Sequence, residues 1–191
     1  MVVSPLVISL FPTMSKSPIT TGFAWSPIVQ SAVTKAIRII QPDNTSEDTP
    51  VLHGLVALHI RRGDFEGHCH FLQGRAQGYN SWNLLPSLPD NFDPEQFHGD
   101  EDKTTEHYQR HCWPSIGQII ARLRQVARDV DQVYVMTNGQ GEWLDGLVAA
   151  LKQDGWRRVV TSAEVKNVLV DAESVVDQAV DMEVRMLCRH L

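Results

Sequence analysis

Between Val51 and Ile60 the chain reads VLHGLVALHI, almost continuously apolar and too short for a long helix. Such a run marks a strand buried on both faces, as in a parallel sheet covered by helices. Parallel strands are joined by crossovers, so helices must lie between this strand and its neighbours. Ser26-Pro27 opens the first, with Ser26 as its cap and Pro27 in its first turn. Ile28, Val29, Ala32, Val33, Ala36, Ile37 and Ile40 then recur at helical spacing. Residues 41–50, with Pro42, Asn44, Asp48 and Pro50, read as a polar loop.

After Trp113 the same alternation resumes. Pro114-Ser115 starts a helix whose Ile116, Ile119, Ile120, Leu123 and Val126 share one face. Residues 131–138 (DQVYVMTN) predict a second buried strand. A helix over 142–153 follows, with Trp143, Leu144, Leu147, Val148 and Leu151 inward, stopped by Asp154-Gly155. Residues 158–162 predict a third strand, and 173–189 a last helix, apolar at Val176, Ala179, Val180, Val184 and Leu187. Residues 66–112 are polar, broken by Gly, Pro and Asn, and without sustained periodicity, so they read as an irregular flap. Residues 1–22, rich in Ser, Thr and Pro, read as irregular or disordered. The order strand, flap, helix, strand, helix, strand, helix predicts an α/β fold over 23–191. Its core is a Rossmann-like, doubly wound parallel sheet with helices on both faces and right-handed crossovers.

The 191 residues suffice for one domain with a real core. A formal charge of -6 argues against a general nucleic-acid binder. No apolar run reaches the length of a membrane span, and the apolar stretch at the amino terminus carries Pro5 and lacks the basic start of a signal peptide. Three cysteines, Cys69, Cys112 and Cys188, are too few for a disulfide scaffold. One pair can bond and leave a thiol over, or all three can be reduced. Asn44-Thr45-Ser46 is a glycosylation sequon.

In open α/β sheets ligands bind at the carboxyl ends of the strands. The first strand ends in His59-Ile60-Arg61-Arg62-Gly63-Asp64-Phe65. Strand alternation puts His59 and Arg61 on one face, Ile60 and Arg62 on the other. An arginine presents paired, permanently charged N–H donors suited to a diphosphate. Gly63 permits close backbone approach or a positive φ. Asp64 can orient an arginine or accept from a base edge and a ribose hydroxyl. The second strand ends in Thr137-Asn138-Gly139, a hydroxyl, an amide and a glycine suited to nucleotide contacts and equally common in plain turns. Taken alone, Arg-Arg-Gly-Asp also fits a solvated turn with an internal ion pair, and His59 fits a satisfied core histidine.

HIRRGDF after an apolar strand resembles the first motif of the GDP-fucose protein O-fucosyltransferases. VYVMTNG is similar to that family's second block and VVDQAVDMEV to the start of its third. GHC (67–69), NLLPSLPD (83–90), HCWPSI (111–116) and TNGQGEWLDGL (137–147) are similar to a fungal branch of O-fucosyltransferase-like proteins. The resemblance covers about residues 23–186. It implies one half of a GT-B fold, binding GDP-fucose as donor substrate for inverting, metal-independent transfer of fucose to a Ser or Thr hydroxyl, with no cofactor. It further implies that Arg61 holds the β-phosphate and stabilises departing GDP. Arg62 would assist, Asp64 and Phe65 would contact the guanosine side, His59 would support the loop, and Thr137 and Asn138 would serve the nucleotide. A protein acceptor and the secretory pathway are implied with it. The family's glycine- and asparagine-rich amino-terminal domain and its Ser-Ser segment have no counterpart here, so the expectation is a truncated chain, incomplete at its carboxyl end and weak or inactive as a transferase.

Two rival readings compete. His68, Cys69, His70, His107, His111 and Cys112 make a soft-ligand set for a metal. Alternatively Cys69 and Cys112 pin the flap by a disulfide, should the chain enter the secretory pathway. The second rival is a non-catalytic binding or scaffold domain that keeps the sheet without the cleft.

Overall fold

The computed structural model describes residues 5–44, 51–75 and 100–188. The chain divides into two compact units, 25–65 with 114–191, and 1–24 with 66–113.

The first unit holds the sheet. Strands β1 (Leu55–Ile60), β2 (Gln132–Thr137) and β3 (Arg158–Thr161) lie in the order β1-β2-β3. All pair in parallel, with Leu55 opposite Gln132, Ile60 opposite Thr137, and Gln132 opposite Arg158. The first strand is shorter than the apolar run suggests. Gly54 takes φ 65°, a left-handed turn that ends just before Leu55. Of the residues ahead of it, Leu52 makes an isolated parallel bridge to Cys188.

Helices cover both faces, which makes this an α/β unit compatible with a Rossmann-like fold. On one face Leu55, Tyr134, Met136 and Val160 pack against α3 (Pro27–Ile40), α8 (Ser162–Lys166) and α9 (Asp177–Leu187) through Val33, Ile37, Val165, Val180 and Val184. On the other, Val56, Ile60, Val133, Val135 and Val159 meet Ile119 and Leu123 of α6 (Ile116–Val126) and Leu147 and Leu151 of α7 (Gly141–Gln153). Helical cover therefore changes sides at β1: α3 precedes it on one face and α6 follows on the other.

Several element ends differ from expectation for local reasons. Pro27 occupies the first turn of α3, yet Ser26 makes no side-chain cap bond. Ser115 does cap α6, in a reciprocal box with Gln118. Val126 is exposed because α6 stops there and Ala127 takes the buried place. Gly155, at φ 97°, ends the turn after α7. The residues after β3 do not run on as strand. Thr161 and Glu164 form a capping box that starts α8. The last helix begins as a 3₁₀ turn over Asp171–Val176 before α9; its expected end at Arg189 lies outside the described residues.

The second unit corrects two expectations. Residues 1–22 are not irregular throughout: α1 spans Pro5–Met14 and α2 spans Pro18–Thr21, where Ser17 accepts from the Thr20 N–H. Nor is 66–112 a flap without regular structure. Helix α4 (Phe65–Gln73) begins where the Arg-Arg-Gly-Asp loop ends, and α5 (Glu101–Cys112) is capped by Asp100. A Cys69–Cys112 disulfide joins them, with Cα atoms 5.7 Å apart, and Gln73 Nε2 donates to Thr105 Oγ1 at 2.8 Å. Short helices that bury only Cys69 and Tyr108 carry no apolar stripe for sequence reading to find. The rest of the expected flap (76–99, with NLLPSLPD), the end of the 41–50 loop (45–50) and the chain end (189–191) lie outside the described residues.

Candidate functional site at the carboxyl end of β1

The alternation of β1 persists one turn beyond the strand. His59 and Arg61 are exposed, while Ile60 and Arg62 are buried. The two adjacent arginines therefore have different fates. Arg61 stands at the surface, its Nη2 3.3 and 3.2 Å from the two carboxylate oxygens of Asp64. Side-chain exposures of 54% and 72% mean that water screens this pair. The Phe65 ring lies 5.8 Å from the Arg61 guanidinium carbon.

Arg62 is 4% exposed. Its guanidinium lies 4.6 Å from the centre of the Trp143 ring, and its Nη2 donates to the Pro114 carbonyl. It thus ties the end of β1 to the starts of α6 and α7. A positive charge buried this deeply must be matched by such partners.

Asn138 sets the loop. Its Oδ1 accepts from the Arg62 backbone N–H at 2.6 Å, and its Nδ2 donates to the Arg62 carbonyl at 2.8 Å. The same Nδ2 lies 3.4 Å from Asp64 Oδ1. Gly63 follows at φ 68°, the conformation that turns Asp64 back toward Arg61. Thr137 Oγ1 accepts from the Gly139 N–H at 2.9 Å, which closes the turn after β2. Ser162, missed in the sequence, holds the end of β2 from the first residue of α8. Its Oγ lies 3.2 Å from both the N and the O of Thr137. Gly139 has its own necessity: a Cβ there would stand 2.5 Å from the Trp143 ring.

The structure thus gathers Arg61, Arg62, Gly63, Asp64, Phe65, Thr137 and Asn138 at one sheet edge and divides their work. Arg62, Thr137 and Asn138 spend polar groups inside the protein. Arg61 and Asp64 turn theirs outward. His59 lies on the α9 face, with Asp181 near enough to feel its charge. The Tyr134 hydroxyl, on a fully buried ring, donates to Asp181 Oδ1 at 2.5 Å. Burial pushes the Asp181 carboxyl above its ordinary range, and Asp177 adds to this; the Tyr134 bond and His59 pull it back. Burial, then the charge of Asp181, hold Tyr134 protonated. No single-sequence pattern announced this pair, because Asp181 sits among helix-surface polar residues.

The rival metal set is broken up. Cys69 and Cys112 are oxidised to a disulfide and lose the thiolates that would bind a soft cation. Among the described residues no group of three or more His, Cys, Asp or Glu side chains is placed to hold a metal ion.

Fold and site together define an α/β domain with a three-stranded parallel sheet and an arginine-bearing loop at a strand's carboxyl end. Comparison with family models, with curated proteins and with solved structures finds no match. Among the described residues no helix is long and apolar enough to cross a membrane.

Proposed function

We propose that this chain binds GDP-fucose and belongs to the nucleotide-binding half of a GT-B fucosyltransferase acting without a metal. The observation that carries the reading is the division between Arg61 and Arg62. One arginine is buried as a brace and fixes the loop. The other is left in solvent at the edge where α/β sheets take ligands. Its present partner is a carboxylate more exposed still, and such pairs contribute less than about 1 kcal/mol. A diphosphate, with more charge and paired oxygens, displaces it readily.

In the proposed reaction a Ser or Thr hydroxyl oxygen attacks the anomeric carbon of fucose and loses its proton to solvent base. The bond to the β-phosphate oxygen breaks on the opposite side, with inversion. Arg61 neutralises the charge that gathers on the departing GDP. Asp64, released from Arg61, accepts from the base edge or ribose, and the Phe65 ring offers a face to the guanosine. His59 supports the loop from the α9 side. The Cys69–Cys112 disulfide fits the secretory pathway that such an activity would require.

The scaffold reading also has a specific observation behind it: Asn138 and Arg62 hold the loop through contacts to protein groups. Titration calorimetry with GDP and GDP-fucose separates the two. Saturable binding by the wild type, abolished in Arg61→Ala, is the expected result. Absence of heat from the folded wild type hands the case to the scaffold.

A further inference from the structure

Strand β1 is an edge strand with the side chains of an interior one. In register, Ala57, Leu58 and His59 stand opposite Tyr134, Val135 and Met136. Those β2 residues are no more than 2% exposed, whereas Ala57 and Leu58 are half-buried and His59 is exposed. Helices reach both faces at this level, since Ala57 packs against the cluster of α3 and α9, and Leu58 against that of α6 and α7. The flank is what differs: β2 has a strand on either side, and β1 has one. Among the described residues, the backbone of Leu55–Ile60 bonds to no element but β2. Alternate residues of β1 therefore aim their N–H and C=O groups away from the sheet.

We propose that the free edge of β1 is a docking site for an extended strand of a partner polypeptide, paired parallel to β1. The sense of pairing follows from a rung already in place. Just ahead of β1 the Leu52 N–H donates to the Leu187 carbonyl at 3.0 Å, in a parallel bridge between Leu52 and Cys188. Because β2 fills the other side of β1, a strand that carries this rung onward along β1 takes the free edge. Helix α9, which ends at that rung, lies on the face opposite α6 and α7. Helical cover thus changes face at β1, the arrangement in which an open parallel sheet grows outward on both sides.

A slot between two helical layers fixes the chemistry of its occupant. Partner residues beside Leu58 and Ile60 meet the α6–α7 layer, and those beside Leu55 and Ala57 meet the α3–α9 layer. Both faces of the partner strand are therefore apolar, with a polar residue accommodated beside exposed His59. The β2 sequence QVYVMT, which already pairs with β1 on its other side, has this composition. Edges protected against pairing carry lysine or proline, and LVALHI carries neither. Main-chain hydrogen bonds supply the affinity of such a contact, and alternate side chains its choice of partner. Running parallel, the partner strand ends at the sheet edge that carries Arg61.

The test adds to the full chain a synthetic peptide bearing the β2 sequence between lysines, with a nitroxide at its amino end, and follows β1 amide exchange by NMR. Without peptide, alternate amides of Leu55–Ile60 exchange quickly, and those bonded to β2 exchange slowly. The expected result is saturable slowing of the fast set, with nitroxide broadening strongest near Leu55. Two further peptides are N-methylated, one at the positions of Val133 and Val135, the other at those of Tyr134 and Met136. Each has lost the donors of one edge, so one binds and the other does not. Fast amides that stay fast at saturating peptide overturn the proposal, as do equal binding by the two methylated peptides or broadening strongest near Ile60. Slow exchange of every β1 amide before peptide is added also overturns it. In a dimer that dissociates on dilution, that result assigns the edge to a second copy of this chain.

Discussion

The Asn138 side-chain amide is bonded to both the N–H and the carbonyl of Arg62, at 2.6 and 2.8 Å, so one residue at the end of β2 dictates the path of the chain leaving β1. A carboxylate can imitate only half of this. Asn138→Asp still accepts from the Arg62 N–H, but it has nothing to donate to the carbonyl and adds a charge beside Asp64. The expected loss of stability is about 1–3 kcal/mol, the usual cost of leaving such groups unmatched. Urea unfolding checks it. A variant as stable as the wild type would show that the amide does not hold the loop.

Arg61 and Arg62 differ in stability before any ligand is considered. Arg61→Ala removes an exposed side chain with a screened partner, and stability should move by less than ~0.5 kcal/mol. Arg62→Ala empties the space under Trp143 and strips the donor from Pro114, a change that should cost about 2–4 kcal/mol. Gly139→Ala should join it, because the added methyl meets the Trp143 ring at 2.5 Å; overpacking of this kind costs about 1–3 kcal/mol. Thermal melts of the three variants distinguish them. The scheme fails if Arg61→Ala destabilises as much as Arg62→Ala.

That split shows how far the sequence could be read. Period-two alternation from Leu55 onward correctly separated His59 and Arg61 from Ile60 and Arg62, because the backbone geometry of a strand leaves no choice. It could not say that Arg62 would be buried, since that depends on Trp143 and Pro114, which come from segments far along the chain. Parallel sheet and two-sided helical cover were legible for the same reason as the strands, through long apolar periodic segments. The helices of the other unit were not. Tyr108 is the sole buried residue of α5 and Cys69 that of α4, so their order depends on capping and a cross-link instead of a stripe. The start of α8 is legible: Thr161-Ser162-Ala163-Glu164 carries the capping-box pattern, although Thr161 also completes an apolar strand.

The α4–α5 pair should be the element most sensitive to reduction. Its helices bury little apolar surface, and the cross-link spans 43 residues of sequence. A loop of that size contributes about 4 kcal/mol in the chain-entropy account. Cys112→Ser, or treatment with a dithiol, should increase amide exchange in α4 and α5 while β1, β2 and β3 keep their protection. Equal protection of α4 and α5 in oxidised and reduced protein would remove the disulfide from any structural role.

His107 gives the same unit an acid sensitivity. Its ring stacks on that of His111 with centroids 4.0 Å apart. Burial first, then the charges of His111 and Arg110, push its pKa down from 6.5 to about 4. In the unfolded chain the imidazole takes its proton near the ordinary value, while the folded chain resists until well below it. Between those values the unfolded state binds more protons, so stability is lost as pH falls from about 6.5 through 4. His107→Gln should flatten that part of the profile. Histidine resonances followed by NMR check the midpoint directly, and a His107 midpoint at or above 6.5 would contradict the reading.

Asp181 carries the opposite sign. Its carboxyl is raised chiefly by burial, so the folded protein holds that proton more tightly than the unfolded chain does. Stability contributed by this group is therefore present at low pH and lost as pH rises through the folded value. At neutral pH the carboxylate is a cost, borne in part by the Tyr134 hydroxyl that donates to it at 2.5 Å. Asp181→Asn keeps an acceptor for that hydroxyl and removes the charge. Its melting temperature at pH 7 should equal or exceed that of the wild type, with the difference shrinking toward pH 4. Tyr134→Phe removes the bond that pulls the carboxyl down and should raise the Asp181 midpoint further, as read by carboxyl NMR. If Asp181→Asn instead destabilises at pH 7, the carboxylate is worth more ionised than buried. The bond from the Tyr134 hydroxyl, the strongest of the influences that lower it, would then be the interaction that keeps it charged.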